Sequence, residues 1–233
     1  MAEVSKKAAV REMFDDISPR YDFLNHFLSF GIDRAWRKKL TKVLGSRNPV
    51  AVLDVATGTG DLAIAISGLK PQKIVGIDIS EKMLEIGRQK ILEKGLGSLI
   101  TLHPGDAEKI PFSDNSFDAI TVAFGVRNYE NLELGLTEMS RVLRPGGVML
   151  ILEFSHPESF PMRQLYSVYS RYAIPMLGRM ISGNNKAYTY LPESVAAFPS
   201  GKDFLAILEK LGMKNTRQIC LSMGIASIYQ AEK

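Results

Sequence analysis

Cysteine is nearly absent: one residue, Cys220, in a chain of 233. That excludes an intramolecular disulfide and a cysteine-rich metal centre. Histidine is almost as scarce, with His26, His103 and His156 far from any spacing that suits a shared metal ion. No bound metal is expected. Uncharged apolar runs of the 18 or so residues needed to cross a bilayer are missing as well. The opening MAEVSKKAAVREMF carries a charge every few residues and has no apolar core of the kind a secretory signal needs. A cytoplasmic location is therefore expected, with contact at the inner face of a membrane left open. Charge of one sign is lacking too. Lys and Arg number 29 against 25 Asp and Glu, a dispersed excess of +4 that gives no footprint for nucleic acid. An apolar fraction of 45% over this length is ordinary for one soluble domain with its own core.

The pattern along the chain is that of alternating strands and helices. Residues 1–45 read as helical, and within them Arg34–Leu44 places Trp36, Leu40, Val43 and Leu44 at helical spacing. Asp33 is the expected N-cap there, and Gly45 follows the end. Strands are predicted at Val50–Val55, Lys73–Asp78, Leu99–His103, Phe117–Phe124 and Val148–Phe154. Helices are predicted from the glycine turn to Leu69, from a Ser80 cap to about Gly95, and over Leu132–Leu143, before a turn at Pro145-Gly146-Gly147. Such a succession implies right-handed crossovers and a mostly parallel sheet covered on both faces. Towards the end, Pro161–Met180 reads as a helix interrupted at Pro175. Ser200 with Asp203 reads as a capping box for a helix ending at Gly212. Apolar segments near 213–221 and 225–230, separated by Ser-Met-Gly, predict a closing antiparallel hairpin. The whole is taken as a single domain over 1–233: a helical cap to 45, a core over 50–155, a second helical cap over 156–200, and the final helix with hairpin over 200–233.

The stretch VLDVATGTGDLA at 52–63 carries the first chemical signal. Gly58-Thr59-Gly60-Asp-Leu-Ala63 fits a relaxed dinucleotide turn, and Asp78 stands about 20 residues on, where a ribose-binding acid belongs. By itself this spacing also arises in turns that bind nothing. Asp54, however, ends the strand before the turn, and a carboxylate there opposes a pyrophosphate at the next helix N-terminus. Asp106 follows the third strand. Three acids, Asp54, Asp78 and Asp106, are thus expected at the carboxyl ends of neighbouring strands, where ligands of open α/β sheets sit. Such a crevice suits a cationic, phosphate-free ligand rather than NAD.

VLDVATGTGD, GIDIS, GDAEKIPF and VLRPGG, in this order, resemble the core motifs of S-adenosylmethionine-dependent methyltransferases. The resemblance implies a Rossmann-like, doubly wound α/β fold with a mostly parallel seven-stranded sheet, a C-terminal antiparallel hairpin and extra N-terminal helices. It implies S-adenosylmethionine as cofactor. Asp54 and the turn Gly58, Thr59 and Gly60 would lie at its methionine part, Asp78 at the ribose hydroxyls, and Asp106 with the backbone of Ala107 at the adenine. YDFLN at 21–25 through Trp36, FGVRN at 124–128 and RVLRPGG through EFS at 141–155 further resemble the quinone-biosynthetic C-methyltransferases. The chain departs from that pattern at Leu24, Asp33 and Arg144, where Met, His and Lys are expected.

This second resemblance implies methyl transfer to a ring carbon of a demethylmenaquinol, giving menaquinol in the last step of menaquinone biosynthesis. A polyprenyl benzoquinol of ubiquinone biosynthesis, or another small molecule, is the alternative. A ring carbon attacks a methyl group when a neighbouring hydroxyl has lost its proton, so the enzyme must hold an oxyanion and align the ring. Arg127, fixed in charge and rich in donors, is the candidate for the oxyanion, and Asn128 for orienting a ring oxygen; the bland reading of Arg127 is an exposed ion pair. Tyr21, with Asp22 and Asn25, is placed to reach over the site, or Tyr21 simply packs as a lid. His156 reads as a solvated loop residue. The segment 161–192 holds five of the eight tyrosines (166, 169, 172, 188 and 190), four basic residues and no acid. It reads either as a helical cap packed on the sheet or as the lining of an apolar channel near lipid. AFGVRN after the fourth strand lacks the Pro-Pro-aromatic pattern of base-modifying enzymes. Expected partners are an isoprenoid quinol and no nucleic acid, with peripheral membrane contact and a homodimer left open.

Overall fold

Seven strands form one sheet in the order β3-β2-β1-β4-β5-β7-β6 in the computed structural model, which describes residues 5–157, 160–168 and 185–233. The strands are β1 Ala51–Val55, β2 Lys73–Asp78, β3 Ile100–Pro104, β4 Phe117–Ala123, β5 Leu143–Phe154, β6 Lys214–Leu221 and β7 Ala226–Glu232. β1 through β5 pair in parallel, whereas β7 runs antiparallel between β5 and β6. The strand order reverses between β1 and β4, and that switch point opens the crevice in which ligands of such sheets bind.

The helices are α1 Lys6–Ile17, α2 Tyr21–Leu28, α3 Ile32–Gly45, α4 Asp61–Ile66, α5 Glu81–Glu93, α6 Leu132–Val142, α7 Met162–Val168, α8 Asn185–Ala197 and α9 Lys202–Lys210. Alternation along the strands sends successive side chains to opposite faces. Val52, Ile74, Leu150 and Ile228 pack with Trp36 and Leu40 of α3, Leu62 of α4 and Leu84 of α5. Leu53, Val75, Ile120 and Ile151 pack on the other side with Leu136 and Met139 of α6 and Phe204 and Leu208 of α9. The strands therefore read as continuous apolar runs because both faces are covered.

Three local expectations are corrected. Asp33 does not cap α3: Gly31, at φ +74°, makes the entry, and Asp33 lies inside the first turn, buried beside Arg37. Glycine relieves the left-handed entry, which frees the carboxylate to compensate a buried guanidinium. Ser200 and Asp203 form no capping box, since α9 starts from Gly201 without a side-chain cap bond. Pro145-Gly146-Gly147 is not a turn before the strand but part of β5, where the pairing with β4 shifts register between Phe117 and Ala119. A Cβ at Gly147 would come within 2.9 Å of the Asp118 carbonyl oxygen, so the irregularity needs glycine. Of the helix expected over 161–180, α7 is the described part. Pro175 and residues 169–184 lie outside the described residues.

Candidate active site

The carboxyl ends of β1, β2 and β4 surround a cleft that opens to solvent. Gly58, at φ +56°, turns the chain after β1, and its N–H donates to Asp78 Oδ2 at 2.8 Å. The Ser80 N–H donates to Asp78 Oδ1 at 2.9 Å. Burial pushes the Asp78 carboxyl above its ordinary range, against the pull of these backbone donors. Asp106 follows β3; its Oδ1 accepts the Glu108 N–H at 2.9 Å and its Oδ2 the Lys7 ammonium at 2.6 Å. Gly58, Asp78, Asp106 and Ala107 line this cavity, as do Tyr21 and Asn128.

Asp54, Thr59 and Gly60 are not on that wall. Asp54 shares the strand face of Val52 and is 1% exposed. Its two oxygens accept the hydroxyls of Thr57 (2.6 Å) and Thr121 (2.7 Å). Burial raises its pKa to about 6, with those hydroxyls and Arg37 pulling the other way. The crevice thus shows two of the three expected acids, and the third lies beneath the turn. Period-two alternation along β1 was the signal for that placement. The Thr59 hydroxyl donates to Asp22 of α2 at 2.6 Å. Gly60, at φ +79°, serves as the entry to α4.

The second group of candidates sits after β4. Phe124 takes φ +60°, and a Cβ at Gly125 would lie 2.6 Å from that of Ala56, so the two strand-end turns touch. A short 3₁₀ turn, Val126–Asn128, follows. Arg127 Nη1 donates to Glu153 Oε1 at 2.8 Å and to the Phe124 carbonyl at 2.5 Å. Its guanidinium stands 5.4 Å from the Phe154 ring centroid. The Arg127 side chain is 8% exposed and that of Glu153 is fully buried. The ion pair is internal, unlike the exposed pair of the bland reading. Burial pushes Glu153 up while Arg127 draws it down. Arg127 Nε and Asn128 Oδ1 are buried without a partner. Burial also raises the phenol of Tyr21, opposed by a hydrogen bond with Asn25 and the charges of Arg127 and Arg37.

Sequence reasoning passed over Glu153 as the partner of Arg127. An acid inside the apolar run VMLILEF was the available signal, since a buried carboxylate demands a partner. It also passed over Lys7, and here no local signal exists, because the contact to Asp106 spans 99 residues. α1 and α2 lie across the cavity mouth through such pairs: Lys7 with Asp106, Asp15 with Ser80 (2.6 Å), and Asp22 with Lys90 (2.8 Å). Val10, Phe14 and Tyr21 supply the apolar underside.

A switch-point cavity walled by carboxylates, in a sheet whose last strand inserts antiparallel between the fifth and sixth, defines an S-adenosylmethionine-dependent methyltransferase fold. Solved structures share it: a SAM-dependent methyltransferase from Aquifex aeolicus (TM-score 0.57, 22% identity, 78% of this chain and 81% of that one) and another from Thermotoga maritima (0.63, 20%, 95% and 99%). Residues 2–233 match the ubiE/COQ5 methyltransferase family, and the chain belongs to it. It is 46% identical over 229 residues to a demethylmenaquinone methyltransferase of Bacteroides fragilis, covering 98% of this chain and 94% of the relative. It is also 46% identical over 230 residues to a ubiquinone/menaquinone biosynthesis C-methyltransferase of Geotalea daltonii, covering 98% and 97%.

Proposed function

We propose that the chain methylates a ring carbon of a demethylmenaquinol, with Asp78, Asp106, Gly58 and Ala107 holding S-adenosylmethionine and Arg127 and Asn128 holding the acceptor. The observation that carries it is the junction of two unlike regions at the ends of β1 and β4. One is a cavity whose wall includes Asp78 and Asp106, and the other is a buried Arg127–Asn128 pair with unused polar atoms.

The wall fits the cofactor chemically. Carboxylates and backbone groups suit a nucleoside bearing a sulfonium and an ammonium, and the helix that follows the glycine turn opens with Asp61 rather than with a bare N-terminus that would cradle phosphate. When bound, S-adenosylmethionine supplies an electrophilic methyl group. Asp78 retains lone pairs for ribose hydroxyls, because only backbone N–H groups use it. Asp54 lies beneath the turn, off the cavity wall, and its negative potential reaches the site from there.

On the acceptor side, the Arg127 guanidinium is fixed by Glu153 and the Phe124 carbonyl. A guanidinium held in this way needs no reorganisation when charge grows on a ring oxygen, the condition for strong electrostatic stabilisation. Asn128, on the cavity wall, orients the ring. Tyr21 closes the cavity from above as a neutral phenol, since burial moves its pKa away from neutrality.

A long-tailed quinol lives in lipid, and the surface is compatible with visiting it. Phe23, Phe27 and Phe30 are 59%, 42% and 77% exposed, and the exposed Arg34, Lys38 and Lys39 follow on α3. Aromatic and basic groups together suit an anionic interface. Among the described residues no helix is long and apolar enough to cross a membrane.

Purified protein with labelled S-adenosylmethionine should transfer label to demethylmenaquinol more efficiently than to a prenylated benzoquinol lacking the ring methyl. Label on the benzoquinol alone would move the assignment to the ubiquinone branch, and label on neither would overturn it.

A further inference from the structure

Among the described residues, three buried side-chain polar atoms lack a hydrogen-bond partner: Nε of Arg127, Oδ1 of Asn128 and the hydroxyl of Tyr190. Native proteins leave few such groups, and each calls for an explanation. The first two stand side by side on the turn after β4. The third comes from α8, 62 positions further along the chain, and α8 packs on that same turn. The charges of both Arg127 and Glu153 act on the Tyr190 phenol, which burial keeps protonated. Chance scatter does not favour all three orphans at one junction of two elements. A shared polar ligand does.

Their chemistry is specific. Arg127 Nε–H can only donate and Asn128 Oδ1 can only accept, whereas a tyrosine hydroxyl does either. A dihydroxy aromatic ring presents two oxygens on opposite edges. One of them, next to the carbon that gains the methyl, changes from hydroxyl to oxyanion. Asn128 Oδ1 suits that oxygen while it still carries its proton, and the Arg127 guanidinium suits it once the proton has passed to solvent water. The other keeps its proton throughout, and a neutral hydroxyl partner suits it.

We propose that Tyr190 is a third polar contact of the acceptor subsite, hydrogen-bonding the ring hydroxyl that stays protonated while Arg127 and Asn128 hold the oxygen that ionises. This rests on the acceptor reading above and adds a residue from the helical segment that reading leaves unassigned. Tyr190 then selects for a second ring oxygen and sets which edge of the ring faces the cavity.

The test compares Tyr190→Phe with the unaltered enzyme on two acceptors: a prenylated naphthalene-diol and the analogue lacking the distal hydroxyl. The unaltered enzyme should favour the diol in kcat/KM by about 10-fold, the scale of one net hydrogen bond. Tyr190→Phe should lower kcat/KM for the diol by about that factor, leave the monohydroxy analogue at the unaltered rate, and keep cofactor Kd and Tm unchanged. Equal efficiency of the two proteins on the diol would overturn the proposal. So would an equal loss on both acceptors, or a weakened cofactor Kd, since either marks Tyr190 as structural or its orphan hydroxyl as served by water. If the unaltered enzyme methylates neither ring, the acceptor reading itself fails and this contact falls with it.

Discussion

Asp54, expected at the cofactor, lies buried beneath the turn and off the cavity wall. Its carboxyl has a pKa of about 6 in the fold against 3.8 ordinarily. The native state therefore binds its proton more tightly than the unfolded chain does. Its contribution to stability is complete below about pH 4 and is lost as pH rises through 6. Linkage sets the loss at roughly 3 kcal/mol by pH 7. Asp54→Asn removes this titration. The stability of the unaltered protein relative to the variant should fall by about that amount between pH 4 and 7 in urea denaturation. Parallel curves would mean that Asp54 is not held against ionisation. Its chemical type and strand-end position were legible from the sequence. Its partners were not, because the hydroxyl of Thr121 competes for it from 67 residues away.

At the scale of elements, α3 carries the clearest consequence. Asp33 accepts Ser29 Oγ at 2.7 Å, lies 2.8 Å from His26 Nδ1 and pairs with Arg37. It clamps the α2–α3 corner. Asp33→Ala leaves the Arg37 charge buried and uncompensated, so a loss of about 3–5 kcal/mol in chemical denaturation is expected. A loss under 1 kcal/mol would show that water reaches the guanidinium. The strands were readable because apolar runs stood near turn signals such as Asn48-Pro49, Gly105 and Gly125. The helix entries were misread at Asp33 and Ser200, where a glycine with positive φ stood one or two residues away. Side-chain caps leave a composition signal, whereas a glycine entry looks like any other loop glycine.

For the whole molecule, the sheet and its switch point followed from the alternation of elements, as did the placement of Asp78, Asp106 and Asn128 at one opening. The draping of α1 and α2 over that opening did not, since long-range ion pairs have no periodicity to read. The exposed phenylalanines of α2 and its C-terminal loop give the drape a second surface. Protein mixed with vesicles rich in anionic lipid should float with them, and Phe23→Ser combined with Phe27→Ser should return it to the soluble fraction at unchanged Tm. Flotation unaffected by these substitutions would place the contact elsewhere.

The 2.6 Å contact between Lys7 and Asp106 makes the proposed cofactor site one that carries its own counterion. A nucleobase edge bonding Asp106 would have to share that carboxylate with the α1 ammonium, so loading of the proposed site and the docking of α1 would be coupled through one side chain.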